Sequence, residues 1–113
     1  MKIKVIKIGG KLIENREVLA RLCDGLASLG EPFVLVHGGG PEITEMLGKI
    51  GKESQFVDGL RVTDKETAEV VQMVLAGKIN KSLVNLIQLK GGKSIGLSGL
   101  DGHMIEAAKK DER

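Results

Sequence analysis

The sequence predicts an α/β domain: a mainly parallel sheet with an antiparallel hairpin at one edge. Three observations predict it. Two short apolar runs, Ile3-Lys4-Val5-Ile6 and Phe33-Val34-Leu35-Val36, are each followed by a glycine cluster, Gly9-Gly10 and Gly38-Gly39-Gly40. Amphipathic helical periodicity follows each cluster. Farther on, Phe56-Val57 and Leu60-Arg61-Val62 flank Asp58-Gly59, the turn chemistry of a tight hairpin. Strand, helix, strand, helix with short connections predicts a three-layer αβα sandwich, its sheet covered on both faces.

The first strand spans 2–8 and passes through Gly9-Gly10 toward a helix over 16–29. There Val18, Leu19, Leu22, Leu26 and Leu29 follow helical spacing, and Gly30 sits where a helix-ending glycine belongs. Cys23, beside Leu22 and Leu26, reads as a buried, inert thiol. A second strand, 32–37, follows. Pro41 suits the first turn of a helix over 41–50, with Ile43, Met46, Leu47 and Ile50 on one side and Gly51 as its stop. After the hairpin, Thr63-Asp64-Lys65-Glu66 reads as a capping box with Thr63 as N-cap.

That box opens the longest helix, 64–89. Its apolar side carries Ala68, Val71, Val74, Leu75, Ile79, Leu83, Leu86 and Ile87. Gly77 inside a helix costs about 1 kcal/mol relative to Ala, so close packing is expected at that point. Gly91-Gly92 ends the helix, Ser94–Ser98 reads as a further strand, and Asp101-Gly102 turns into His103–Ala107 as a second hairpin-like piece. The terminal stretch 109–113 is polar and linker-like.

At 113 residues the chain has the length of one domain. Net charge is +2, from 17 Lys and Arg against 15 Asp and Glu. That balance disfavours nucleic acid or membrane as the main partner. Phe33 and Phe56 are the only aromatic residues, too few for a base-stacking platform. A single cysteine allows no internal disulfide and suits a reducing compartment. The N-terminus lacks the apolar centre of a signal peptide, and no run approaches the roughly 20 apolar residues of a membrane span. A cytoplasmic location is the expectation.

Three familiar motifs fail. Gly91-Gly92-Lys93-Ser94 looks like the tail of a P-loop, but position 87 is Ile and the segment leaves a helix for a strand. His37-Gly38-Gly39-Gly40 is shaped like the oxyanion loop of lipases, yet Gly96-Leu97-Ser98-Gly99-Leu100 lacks the last glycine of a nucleophile elbow. Neither glycine cluster fits a dinucleotide fingerprint.

What survives is placement. Ligands of open α/β sheets sit beyond the carboxyl ends of the strands, where both clusters lie. Glycine exposes backbone N–H groups there, and a helix opening from the turn adds its dipole. Lys7, inside an apolar strand, needs an anion, a carboxylate partner or a path to the surface; its functional reading is an ammonium against a transferring phosphoryl group. Arg61 offers a rigid donor fork suited to carboxylate, or a surface salt bridge. His37 reads as a structural hydrogen-bonder.

Together, Lys7-Ile8-Gly9-Gly10, Val34-Leu35-Val36-His37-Gly38-Gly39-Gly40-Pro41, Asp58-Gly59-Leu60-Arg61-Val62-Thr63 and Ala76-Gly77-Lys78-Ile79-Asn80-Lys81 resemble the acetylglutamate kinases of the amino acid kinase family. Gly96-Leu97-Ser98-Gly99-Leu100-Asp101-Gly102 is similar to that family's next segment. The resemblance runs the length of the chain and matches the N-terminal half of such enzymes. It implies the amino-acid/carbamate kinase-like fold, with residues 1–113 as the amino-acid-binding lobe and the nucleotide-binding lobe outside this chain. It implies N-acetyl-L-glutamate and ATP as substrates, Mg²⁺ accompanying ATP with no protein metal ligands here, and an acyl phosphate product early in arginine biosynthesis. It further implies that Lys7 stabilises the transferring phosphoryl group, Gly9 and Gly10 approach the ATP phosphates, Gly39 and Gly40 offer backbone to acetylglutamate, and Arg61 grips its α-carboxylate. A homodimer through the helix 64–89, without an extra N-terminal helix, completes the expectation. The alternatives are a kinase of a related acylated amino acid, of the aminoadipate type, and a non-catalytic half-length module binding acetylglutamate or a partner.

Overall fold

A computed structural model describes residues 2–110. In chain order the elements are β1 (Lys4–Ile8), α1 (Gly10–Glu14), α2 (Arg16–Ala27), β2 (Phe33–His37), α3 (Gly40–Lys49), β3 (Phe56–Val57) and β4 (Leu60–Arg61). Then come α4 (Lys65–Gln72), a π-helical turn (Met73–Ile79), α5 (Asn80–Leu89) and a 3-10 turn (Asp101–His103). β1 and β2 pair in parallel, from Lys4 opposite Phe33 to Ile8 opposite His37. The α/β class and the combination of parallel and antiparallel pairing are as expected.

Side chains alternate across a strand, and that alternation sets the layers. Ile6, Ile8, Phe33 and Leu35 turn into the core. Val5, Val34 and Val36 lie on the opposite face and are exposed. Among the described residues helices therefore pack on one face of the pair, and the layer expected on the other is not formed by them. The core centres on Cys23 of α2 and Leu47 of α3, the most deeply buried large side chains. Burial raises the Cys23 pKa, so the thiol is inert, as expected.

Glycine positions explain where elements stop. Gly51 (φ 78°) follows α3, with Lys52 N–H donating to Leu47 O at 2.9 Å and Gly51 N–H to Gly48 O at 3.1 Å. This is the paired-bond helix stop that needs a left-handed residue. Gly91 (φ 90°) ends α5 in the same way. In the hairpin, Asp58 (φ 52°) and Gly59 (φ 77°) are both left-handed, giving the type I′ turn whose twist matches antiparallel strands.

Several expectations are corrected. The first glycine turn leads straight into α1, which buries Ile13, before Asn15 caps α2 by accepting from Val18 N–H at 3.2 Å. α4 is capped by Asp64 rather than Thr63: its carboxylate accepts from Thr67 N–H at 2.8 Å and pairs with Lys52 at 2.6 Å. These bonds, the lysine first, hold the Asp64 pKa below the usual carboxylate range. Thr67 and Val70 are the buried positions of that helix and Ala68 is exposed, while Ile50, which caps the end of α3, is exposed. Gly77 is exposed on the π turn, and a Cβ there would meet none of the described residues within 4 Å, so the close packing expected at that point is not found among them.

Residues 94–98 form no strand. The segment lies against α5, and α5 side chains take two of its backbone acceptors: Asn80 Nδ2 donates to Leu97 O at 2.9 Å and Lys81 Nζ to Gly96 O at 3.1 Å. With no strand beside it, no ladder forms. Residues 104–109 are likewise without strand structure, so the second hairpin-like piece is absent. Asp111, Glu112 and Arg113 of the linker-like terminus lie outside the described residues.

Candidate functional site

β1 and β2 end side by side, and Gly38 N–H donates to Ile8 O at 3.3 Å. Both glycine clusters thus leave the sheet at one edge, and they touch. A Cβ on Gly10 would stand 2.6 Å from Pro41 Cδ and 3.3 Å from Gly40 N. Gly39 is buried, and a Cβ there would collide with Ile79 and Leu75 of the π turn. The second turn is therefore pressed between α1 and the long helix. Lys78 Nζ, 3.1 Å from Glu42 Oε2, ties the π turn to the first turn of α3.

α3 starts at Gly40, with Pro41 in its first turn. Its unsatisfied N–H groups and positive dipole end favour an anion at this point. Arg61 reaches the same place from the hairpin. Nη2 donates to Gly40 O at 3.2 Å and to Thr44 Oγ1 at 3.0 Å, and Nη1 donates to Ser54 Oγ at 2.7 Å. The Phe56 ring lies 4.7 Å from Arg61 Cζ. Partial burial pulls the Arg61 pKa down, though a guanidinium remains charged. No carboxylate among the described residues pairs with it. The half-buried guanidinium thus rests on neutral acceptors among the described residues.

Lys7 stands opposite Val36 on the exposed face of the strand pair. It makes no hydrogen bond or ion pair with the described residues; of its three sequence readings, a carboxylate partner within them is not realised. Gly9 is exposed and extended (φ −85°, ψ 165°), opening α1. Gly10, Gly40 and Arg61 are therefore joined by contact, and Lys7 and Gly9 share their edge through β1. Gly39, next to Gly40, is buried, with the position of a Cβ filled by Ile79 and Leu75. His37 is half-buried, its Nδ1 placed 3.0 Å from Gly38 O, a structural role.

Sequence reasoning missed Thr44, Ser54 and Phe56. A signal existed for two of them. Thr44 is one helical turn beyond Gly40, and the type I′ turn sets Phe56 directly opposite Arg61. Ser54 sits in the loop before β3 and carries no such signal.

Paired parallel strands whose carboxyl ends open on glycine turns, beside Lys7 and Arg61, neither of which pairs with a carboxylate among the described residues, define an α/β lobe with the crevice at which open sheets of this kind bind ligands. The sequence matches the amino acid kinase family over residues 2–113, and the chain belongs to that family. It is 55% identical over 108 residues to the acetylglutamate kinase of Alcanivorax borkumensis, covering 93% of this chain and 36% of that protein. The acetylglutamate kinase of Moorella thermoacetica is 54% identical over 112 residues, 96% of this chain and 38% of its own. The chain thus spans a little over a third of the length of these relatives.

Among solved structures, smu.665 from Streptococcus mutans UA159 superposes with a TM-score of 0.64 at 30% identity, covering 79% of this chain and 37% of that one. The N-acetylglutamate synthase of Neisseria gonorrhoeae, crystallised with coenzyme A and L-arginine, shares the fold at a TM-score of 0.55 and 24% identity, over 85% of this chain and 22% of its own.

Proposed function

We propose that this chain is the amino-acid-binding lobe of a cytoplasmic kinase of arginine biosynthesis that phosphorylates the side-chain carboxylate of N-acetyl-L-glutamate. The observation that carries the proposal is Arg61: half-buried, without a carboxylate partner among the described residues, and clasped to Gly40 at the positive end of α3. In this reading Arg61 grips the α-carboxylate, and Gly39 and Gly40 present backbone to the same ligand. Gly9 and Gly10 approach the ATP phosphates, and Lys7 neutralises charge on the phosphoryl group in flight.

The chemistry needs no general base. A glutamate-type carboxyl has a pKa near 4.3 and is already ionised at neutral pH. One of its oxygens bonds to the γ-phosphorus of ATP, the bond from that phosphorus to the β–γ bridging oxygen breaks, and ADP leaves with the electron pair. The product is an acyl phosphate. Positioning and charge neutralisation can supply such a transfer, and lysine, arginine and glycine amides are the groups it asks for. Mg²⁺ enters as the ATP complex in this reading. The exposed Met73 and Leu89 on the helix 65–89 support assembly of two copies through that helix, completing the proposed homodimer.

Hydroxylamine trapping tests the proposal. The protein carrying this chain, given ATP, should form hydroxamate from N-acetylglutamate in preference to N-acetylaminoadipate. A preference for aminoadipate would reassign the acceptor to the related acylamino acid. Absence of product from both would leave the ligand-binding role alone.

A further inference from the structure

We propose that Thr44, Ser54 and Phe56 are positioning residues that give Arg61 its selectivity for a ligand carboxylate; this rests on the reading of Arg61 as the carboxylate grip. Arg61 ends a two-residue strand at the side of a hairpin, where a long flexible side chain would sample many rotamers. Three elements remove that freedom. Phe56, across the strand pair, lies beneath the guanidinium at 4.7 Å. Ser54 Oγ, from the loop before β3, accepts from Nη1 at 2.7 Å. Thr44 Oγ1, on α3, accepts from Nη2 at 3.0 Å.

The chemistry of these partners matters as much as their number. Carboxylates in the same places would orient the guanidinium and also neutralise it, leaving little for a ligand to gain. Hydroxyl oxygens orient it and leave the charge intact. A hydroxyl also keeps its own O–H to donate, so an arriving carboxylate can be met by guanidinium and hydroxyl together. Thr44 further fixes the guanidinium against the first turn of α3, where Gly40 O is its fourth contact. The helix end and the arginine then act on one anion.

The test uses the protein carrying this chain and two acceptors, N-acetylglutamate and its α-carboxamide, in the hydroxamate assay. Combined Thr44→Val and Ser54→Ala substitution should raise KM for the acid about tenfold, the scale of lost hydrogen bonds to a charged group. KM for the amide should stay within about twofold, so the acid-over-amide preference falls. Thr44→Ser, which keeps the hydroxyl, should retain the wild-type preference. A merely structural role would weaken both acceptors alike, and an unchanged preference or parallel losses overturn the proposal.

If the wild type forms no acetylglutamate-dependent hydroxamate, the substrate reading falls and positioning is read separately. Phenylglyoxal modification of Arg61, followed by peptide mass, should then run severalfold faster in the double variant than in the wild type. Equal rates overturn the brace.

Discussion

The two glycine turns at the carboxyl edge of β1 and β2 are alike in sequence and opposite in support. The second is backed, with Gly39 buried at its centre. Gly39 meets Leu75 and Ile79, Glu42 meets Lys78, and Arg61 is clasped over Gly40. The first is bare on one side: Gly9 is exposed, and Lys7 extends from an open sheet face with no partner among the described residues. A backed turn holds shape and can discriminate between ligands. An open turn offers charge and backbone without shape. In the proposed reaction that division assigns selectivity to the second turn and phosphoryl chemistry to the first.

Substitutions on the two sides should therefore separate. Lys7→Ala is expected to have the largest effect, lowering kcat roughly 10²–10³-fold, the scale of losing one group aimed at transition-state charge. Acetylglutamate affinity, measured by calorimetry, should barely move. Arg61→Lys keeps the charge and loses the fork; it should raise KM for acetylglutamate roughly 10–100-fold, with a smaller fall in kcat. If Arg61→Lys struck only kcat, the assignment of selectivity to the second turn would be lost.

The glycines sharpen the contrast further. Gly39→Ala drives a Cβ into Ile79 and Leu75, and overpacking of this kind destabilises by about 1–3 kcal/mol, readable in a urea melt. Gly9→Ala meets none of the described residues within 4 Å at an ordinary φ of −85°. It should alter stability by no more than about 0.5 kcal/mol and register instead in KM for ATP. Equal stability losses would mean that the first turn is backed as firmly as the second.

The smallest effect concerns acid stability behind the second turn, where Lys52 and Asp64 join the end of α3 to the start of α4. The Asp64 pKa is lowered on folding. Its contribution is thus fully present above the unfolded carboxylate value, near 3.9, and is lost as pH falls through the lower folded value. The wild-type advantage over Asp64→Asn should be constant near neutrality and shrink below about pH 4. A difference that grows on acidification would reverse the sign of the coupling.

Much of this edge was legible in the sequence because single residues dictate it. Asp58-Gly59 requires left-handed backbone, Gly51 and Gly91 stop helices, and Pro41 opens one. α1 escaped because five residues carry too little periodicity to register. The π turn left a trace: Thr67, Val70, Val74, Ile79, Leu83 and Ile87 are buried, and the step of five from Val74 to Ile79 marks the extra residue. Leu75, half-buried, masks that step with an ordinary spacing of four. Ser94–Ser98 has strand-like composition, but a strand is defined by its neighbour, which composition does not disclose. Among the candidate site residues, Arg61 was visible as a type while its braces were not, since Ser54 and Thr44 reach it through tertiary approach alone.

The separation of the two turns is tested most directly by one kinetic series. Acetylglutamate is titrated at saturating ATP in the hydroxylamine assay for wild type, Lys7→Ala and Arg61→Lys. Crossed effects are expected: Lys7→Ala lowers kcat at nearly constant KM, and Arg61→Lys raises KM with a lesser loss of kcat. Both variants shifting kcat and KM in the same proportion, or a wild type that makes no acetylglutamate-dependent product, would contradict it.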